Sequence, residues 1–258
     1  MLSEQAGSSA YATSGGGVLF EHEFGWSMLV RLLLGHPVEG LGDEFTPTGV
    51  GLQQGAYSAV DDVMISGESP AGSRKLRVAC RRRPVLGASS EPTVKLFVDF
   101  VNALASDAEL IEAGDLRLGL AVAGPYGPAS ELATLTEIAR GQPTYSLFAS
   151  AVAVPRAYDK SVGRRLRNIN ELVSKALDRL DGTVTGADPE QLSWRLLRAL
   201  YIVQVQLEGD TARDRTNDVA RLQELTADVV AAAQLRLHLV DAASQAAIHS
   251  GMLTQSMT

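Results

Sequence analysis

Apolar and polar positions along this chain follow patterns that predict helices in some segments and strands in others. In residues 18–34 the apolar side chains recur with a period close to 3.6 residues, which predicts an amphipathic helix ending at Gly35. Residues 59–66 and 75–83 are short, rich in Val, Ile and Met, and separated by a Gly/Ser/Pro-rich turn, which predicts a β-hairpin. The second strand places Leu76, Val78 and Cys80 on one face and Arg77, Ala79 and Arg81 on the other.

The segment after this hairpin continues a mixed order of helices and strands. Glu91 and Pro92 open a predicted helix, because proline is favoured at a first helical position. Residues 116–124 are almost continuously apolar, which favours a strand buried on both faces. A further helix is predicted at 130–140. This order predicts an α/β domain, with a mixed sheet flanked by helices, over residues 15–150.

The rest of the chain is predicted to be mainly helical, over residues 155–248. Amphipathic patterns predict helices over four segments: 158–180, 191–200, 219–227 and 229–247. Residues 201–208 alternate with period two, so either a short strand follows the second of these helices or that helix continues. We expect residues 1–14 to be a disordered tail and residues 249–258 a frayed end.

Composition narrows the class of protein. The chain has 258 residues, of which 45% are apolar, so an ordinary packed core is expected. No apolar run approaches the roughly 20 residues that cross a bilayer, and residues 1–14 lack the basic and apolar parts of a signal peptide. The single cysteine, Cys80, excludes an internal disulfide framework and predicts a core residue in a cytoplasmic protein. No membrane partner is expected.

The distribution of charge is uneven. The net charge of −7 argues against non-specific coating of nucleic acid. Six of the 23 basic residues nevertheless lie between Arg74 and Arg83, and a second basic group lies within residues 156–167. Either group could form a local phosphate-binding surface on an acidic protein.

The hairpin contains the residues that bear most directly on chemistry. Metal-dependent phosphodiester cleavage needs a carboxylate on one strand and, on its neighbour, a second ligand two residues before a lysine, so that ligand and lysine share a strand face. Here Asp61 and Asp62 open the first strand, and Ala79 and Arg81 occupy the paired positions on the second.

This arrangement resembles the restriction-endonuclease-like PD-(D/E)xK dsDNA nuclease domains found at the N-termini of bacterial anti-phage defence proteins. The resemblance rests on Asp-Asp-Val-Met-Ile at 61–65 and Leu-Arg-Val-Ala-Cys-Arg-Arg at 76–82. The predicted helix at Glu91, the apolar strand at 116–124 and the segments at 194–197 and 207–210 follow in a similar order. The resemblance implies a restriction-endonuclease-like sheet and a module of a larger, NTPase-containing protein.

The resemblance also implies roles for individual residues. Asp62 matches the metal-binding aspartate, Glu23 an accessory metal ligand, and Arg81 the position of the lysine, so an active form would be a Mg²⁺-dependent DNA endonuclease. Ala79 has no atom that can bind a metal, and the Arg81 guanidinium stays protonated, so the site is expected to be degenerate. The residues expected to bind nucleic acid are Arg77, Arg81, Arg82 and Arg83.

Other interpretations of the same residues stay open. Asp61 and Asp62 could form a strand-initiating turn, and Glu23 could act only on the dipole of its helix. The arginines could form a solvated strand edge that prevents aggregation. Two functions are therefore carried forward. One is a nuclease-like effector or sensor module of a defence protein that binds DNA; the other is an interaction or oligomerisation module without a nucleic-acid ligand, joined to additional domains or to further copies of itself.

Overall fold

The computed structural model describes residues 16–53, 60, 62–154, 158–180, 188–209, 212–226 and 228–254. The predicted tail, Asp61 and Arg156 lie outside the described residues. The helices are α1 Gly16–Leu34, α2 Glu91–Ser106, α3 Ala108–Ala113, α4 Gly127–Arg140, α5 Tyr145–Ala153, α6 Lys160–Arg179, α7 Pro189–Ala199, α8 Arg213–Leu222 and α9 Val229–Ile248. The strands are β1 Thr46–Leu52, β2 Val63–Ser69, β3 Gly72–Cys80, β4 Leu116–Ala123, β5 Leu200–Val205 and β6 Met252–Thr254.

Within the described residues the strands form one mixed sheet in the order β5-β4-β3-β2-β1-β6. Strands β1, β2 and β3 pair antiparallel, and β6 returns to pair antiparallel with β1. Strands β3, β4 and β5 are parallel, and helices make the connections between them. The predicted fold class, an α/β sheet flanked by helices and followed by a mainly helical region, is confirmed.

Two helical layers cover the sheet because its central strands bury side chains on both faces. Leu118, Leu120 and Val122 of β4 pack into the core that contains residues of α2, α4, α6 and α7. Ala121 points into the other core, which is formed with α1, α8 and α9. The prediction that residues 116–124 form a doubly buried strand is thus confirmed.

Two strands lie where none was predicted. The Gly, Pro, Asp and Thr residues of 37–55 predict a loop or an irregular hairpin, but 46–52 form the regular strand β1, which gains hydrogen-bonded partners on both sides from β2 and β6. The predicted frayed end contains β6, which is held by that same pairing. Residues 200–205, for which helix and strand were both open, form β5 beside β4.

The last described helix packs against the first. The side chain of Glu23 in α1 contacts Arg236 in α9 at 3.2 Å, and His22 lies 3.5 Å from Ser244. Gly25 permits this approach, because a Cβ atom there would lie 3.0 Å from the Leu52 side chain and 3.7 Å from Ala243. Helix α9 and strand β6 therefore close one face and one edge of the sheet against the first described elements of the chain.

Among the described residues, no helix combines the length and apolar character needed to cross a membrane.

Candidate functional site

Asp62 lies immediately before β2, at the open end of the β2–β3 ladder. Its carboxylate accepts hydrogen bonds from the backbone N–H of Cys80, at 2.6 Å, and from the guanidinium of Arg81, at 2.5 Å. Asp62 is only 8% exposed. The regular pairing of the two strands ends at Val63 and Val78, so the Asp62 side chain supplies the next acceptor of the ladder.

The structure thus brings together two residues that the sequence predicted would share a site, Asp62 and Arg81. Burial alone would lower the pKa of Arg81, but the adjacent Asp62 charge and its hydrogen bond raise the pKa overall. Arg81 also donates to the carbonyl oxygen of Cys80 at 2.7 Å. A guanidinium held in this way remains a cation and cannot serve as a proton acceptor.

The remaining residue of this cluster is the buried Cys80. Burial raises the pKa of its thiol well above the usual value, and the negative charges of Asp62 and Glu21 act in the same direction. The thiol therefore stays neutral and does not have the character of a nucleophile.

Sequence reasoning missed two acidic neighbours of this pair. Glu21 in α1 acts electrostatically on Arg81 and Cys80. Burial raises the pKa of Asp99 in α2, and the positive charges of Lys95 and Arg81 partly offset this rise. Neither could be found from hairpin spacing, because each reaches the site from a helix packed on the sheet.

Glu23 occupies a different position from the predicted accessory ligand. Its carboxylate accepts a hydrogen bond from the Trp26 indole at 2.6 Å and pairs with Arg236 at 3.2 Å. These contacts place it at the α1–α9 interface. Among the described residues, no group of three or more His, Cys, Asp or Glu side chains is arranged to hold a metal ion. The residues around Asp62 do not fit a Mg²⁺ ion, because Arg81 occupies the carboxylate and Ala79 offers no ligand.

Three of the four arginines predicted to bind nucleic acid are engaged by internal carboxylates. Arg77 pairs with Asp107 at 2.5 Å, and Arg82 pairs with Glu208 at 2.5 Å. Arg81 pairs with Asp62. Arg83 is exposed and makes no recorded ion pair within the described part of the chain. A phosphate that approaches these arginines would have to compete with the carboxylates that already neutralise three of the four positive charges.

A groove of about 480 Å³ lies between α8 and α9. Its lining combines apolar and hydrogen-bonding side chains from both helices: Arg215, Thr216, Val219, Ala220, Gln223, Ala233, Arg236 and Leu237. Its volume falls in the range of small-molecule sites, which are mostly apolar with a few polar groups that orient the ligand. No sequence pattern indicates this groove, because it depends on how two separately predicted helical segments pack.

The two arginines of the groove differ in how they are held. Arg236 lies over the Trp26 ring, 5.1 Å from its centroid, and pairs with Glu23. Its Nε atom is buried and has no hydrogen-bond partner among the described residues. Arg215 donates to the carbonyl oxygen of Gly209 at 2.9 Å. Both guanidiniums therefore retain donors that a ligand could accept from.

A buried ionic network fixes α8 beside α1 and so forms one wall of the groove. Asp218 is fully buried and accepts hydrogen bonds from Ser27, at 2.5 Å, and from Arg31 and Arg221, at 3.1 and 2.9 Å. Charged groups at this depth are tolerated only when they are paired. The network therefore sets the position of α8 and of the groove residues that it carries.

A smaller cavity, of about 210 Å³, lies between α1, the end of β5 and the start of α8. Glu39 and Arg31 are among its lining residues. Burial raises the pKa of Glu39, and the nearby Arg31 charge lowers it in part. This cavity is less than half the volume of the α8–α9 groove.

No family model matches the chain, and no curated protein matches it. Solved structures that resemble it include the Acinetobacter baumannii Cap4 SAVED/CARF-domain containing receptor with the cyclic trinucleotide 3'3'3'-cAAA, at 14% identity and a TM-score of 0.48. The alignment covers 93% of this chain and 42% of that receptor. The Moraxella osloensis Cap4 SAVED/CARF-domain containing receptor matches at 11% identity and a TM-score of 0.46, over 93% of this chain and 45% of that receptor.

These matches correct the family predicted from the hairpin. They are described as SAVED/CARF-domain receptors and not as PD-(D/E)xK nuclease domains, which overturns the predicted recognition. The site geometry gives a physical reason for the error: the spacing of Asp62 and Arg81 that resembled a nuclease motif is that of an internal ion pair. The chain spans less than half the length of the solved receptors that it matches.

Proposed function

We propose that this chain is a non-catalytic sensor module that binds a small anionic ligand, of the phosphorylated nucleoside class, in the groove between α8 and α9. The observation that carries the proposal is the pairing of two arginines with an apolar floor in a groove of ligand size. Guanidiniums suit phosphate oxygens, which they can bind through two parallel hydrogen bonds. Val219, Ala220, Ala233 and Leu237 supply apolar surface against which a base or sugar could pack.

The arginine-rich segment 77–83 is a less favourable binding site for an anion. Arg77, Arg81 and Arg82 already pair with carboxylates. Displacing Asp62 from Arg81 would leave a nearly buried carboxylate without its cation, which is costly. In the groove, Arg236 also pairs with a carboxylate, that of Glu23, but Arg215 bonds to the carbonyl oxygen of Gly209 and has no carboxylate partner in an ion pair among the described residues. We propose also that the module forms part of a longer bacterial defence protein.

The test is a binding titration by isothermal calorimetry with three probes: inorganic phosphate, adenosine monophosphate and the cyclic trinucleotide 3'3'3'-cAAA. We expect saturable binding of at least one nucleotide, stronger than that of phosphate alone. Replacing Arg215 with alanine should weaken binding by roughly tenfold or more, because a hydrogen bond to a charged group contributes about 1.5–3 kcal/mol. Arg236→Gln should do the same while keeping a side chain that can bond to Glu23.

Arg195→Ala is the matched control, because Arg195 is a half-exposed arginine paired with Glu112 outside the groove. It should leave affinity unchanged. Absence of binding by all three probes at millimolar concentration would refute the proposal. Binding that survives both groove variants would refute the site.

A further inference from the structure

Three arginines come together at the amino-terminal end of the parallel strands, around the turn at Gly40 and Leu41. Arg74 lies near the start of β3, Arg117 near the start of β4, and Arg140 at the end of α4. Arg117 donates hydrogen bonds to the carbonyl oxygens of Gly40 and Leu41, at 2.9 and 3.1 Å. Arg74 donates to the second of these carbonyls at 2.7 Å. The turn and the strand ends thus gather three cations in one place.

The ring of Tyr201, in β5, lies against two of these cations. The guanidinium carbons of Arg117 and Arg140 are 4.8 and 4.2 Å from its centroid. Arg140 also donates to the carbonyl oxygen of Leu200 at 2.7 Å. Gly40 lets the turn approach this ring, because a Cβ atom there would lie only 3.1 Å from the Cβ atom of Tyr201. Two like charges are therefore fixed against one ring.

Carboxylates neutralise only part of this cluster. Among the described residues, its one recorded ion pair is that of Arg74 with Glu44, at 3.1 Å, and the Glu44 side chain is 59% exposed. Glu39 and Glu137 adjoin the cluster in sequence, but the cation that acts on the pKa of Glu39 is Arg31. Three guanidiniums and one paired carboxylate leave an excess of two positive charges. That excess matches the charge of about −1.5 to −2 that a phosphate group carries near neutral pH.

The proximity of the three arginines is unfavourable unless an anion is present. Burial lowers the pKa of Arg117, and the like charges of Arg74 and Arg140 lower it in addition. The neighbouring Tyr201 and Glu44 offset part of this effect. A partly buried cation beside two others is destabilised by both desolvation and repulsion. An anion bound among them would replace this repulsion with attraction.

The hydrogen-bonding groups needed for an anion are also available. Arg117 and Arg140 each bond to the backbone through Nη1, and their Nε and Nη2 atoms have no recorded partner in the described part of the chain. None of these atoms is among the buried nitrogens that lack a partner, so they reach solvent. The Nε–Nη2 edge of a guanidinium can bind two phosphate oxygens through parallel hydrogen bonds. Holding the turn and the strand therefore leaves these two edges unused.

We propose that Arg74, Arg117 and Arg140 form an anion site that takes a phosphate group, either free or at the end of a small ester. The unused edges of Arg117 and Arg140 bind its oxygens, and Arg74, held 3.9 Å from the centroid of the Phe45 ring, adds charge. A phosphate group has three strong acceptor oxygens for these donors, whereas a carboxylate has two. The site shares no residue with the α8–α9 groove, so the inference goes beyond the proposed function and does not depend on it.

The test is isothermal calorimetry with inorganic phosphate on the full chain carrying Arg215→Ala and Arg236→Gln, which remove the arginines of the groove. Sodium chloride keeps the ionic strength constant. We expect saturable binding, which Arg140→Ala should weaken by roughly tenfold or more, because hydrogen bonds to a charged group are lost. Arg164→Ala is the matched control, since this arginine is 65% exposed and lies outside the cluster, and it should leave the affinity unchanged. Circular dichroism checks that each variant is folded.

Glu44→Gln separates a ligand site from a purely structural role of the arginines. It removes the carboxylate that competes for Arg74, so phosphate affinity should rise by roughly two- to fivefold. Ribose 5-phosphate as a second probe distinguishes the two sources of the phosphate group: binding at least as tight as that of inorganic phosphate supports an ester, and weaker binding supports free phosphate. Absence of saturable phosphate binding at millimolar concentration overturns the proposal. An affinity that Arg140→Ala leaves unchanged, or that Glu44→Gln fails to raise, overturns it as well.

Discussion

Replacing Asp62 tests whether the hairpin cluster is structural or functional. In a site built to bind a metal or to act on a substrate, an acidic residue is often held at a cost, so its removal stabilises the protein. In this structure Asp62 is paired with Arg81 and completes the strand ladder at Cys80. We therefore expect Asp62→Ala to destabilise the fold.

The magnitude follows from the two hydrogen bonds that are lost. Leaving the buried N–H of Cys80 without an acceptor costs about 1–3 kcal/mol. The ion pair adds at most about 1 kcal/mol, because the Arg81 side chain is 39% exposed and solvent screens it. The expected loss is about 2–3 kcal/mol, a large part of the roughly 5–15 kcal/mol that stabilises a typical domain.

Urea unfolding followed by far-UV circular dichroism measures this loss. Asp62→Asn should cost only about 1 kcal/mol, because its amide oxygen can still accept from Cys80 while the charge is gone. A double-mutant cycle with Arg81→Ala isolates the ion pair, with an expected coupling near or below about 1 kcal/mol. A stabilising Asp62→Ala variant, or an Asn variant as unstable as the Ala variant, would refute the structural role assigned to Asp62.

Two further predictions concern other polar contacts. Asp218→Ala should destabilise the protein by about 3–5 kcal/mol in the same assay, because it leaves Ser27 and Arg31 without their buried partner. The control variant Asp241→Ala, at an exposed site, should change the stability by less than about 0.5 kcal/mol. The Tyr145 hydroxyl donates a hydrogen bond to Glu190, and this bond raises the pKa of Tyr145 to about 12. The stability that the bond contributes should therefore be present below about pH 10 and lost as pH rises through about 12. A phenolate absorbance titration should show the late titration of Tyr145 in the native chain and its loss in Glu190→Gln, and an unchanged profile would contradict this.

Most of the longer helices and the central strands could be predicted because their own patterns determine them, whereas the short helices α3 and α5 were not predicted. Residues 116–124 were assigned to a doubly buried strand from their continuous apolar run. Asp188 followed by Pro189 is a residue pair that predicts the N-terminal cap of a helix, and its side chain accepts from the N–H of Glu190 at 3.0 Å. These signals are local, so no knowledge of the rest of the chain was needed.

Strands β1 and β6 could not be predicted, because their stability comes from partners far away in sequence. Gly49 and Gly51 have little strand preference of their own, yet β2 and β6 bond to both sides of that segment. The helix predicted over residues 219–227 is also displaced: α8 spans Arg213–Leu222 and so includes part of the polar segment 209–218, whose composition predicts a loop. Its polar Asp218 faces inward because Ser27 and Arg31 satisfy it there.

The hairpin shows the corresponding limit for site prediction. Spacing correctly placed Asp62 and Arg81 together, but spacing does not reveal whether two opposite charges bind a ligand or each other. Only the geometry, in which the guanidinium already lies on the carboxylate, distinguishes these cases. The α8–α9 groove is formed by helix packing alone and left no motif in the sequence.

The packing of α1 against α9 has a consequence for how the chain is made. Glu23 and Arg236 are separated by 213 residues, and His22 and Ser244 by 222. At a synthesis rate of about 5–20 residues per second, α1 leaves the ribosome roughly 10–40 seconds before its partner helix exists. During that time Phe20, Phe24 and Trp26, all fully or almost fully buried in the finished fold, have no cover from α9. The apolar inner face of α1 therefore gains its cover from α9 only after residues 229–248 have been synthesised, so this part of the core is completed last.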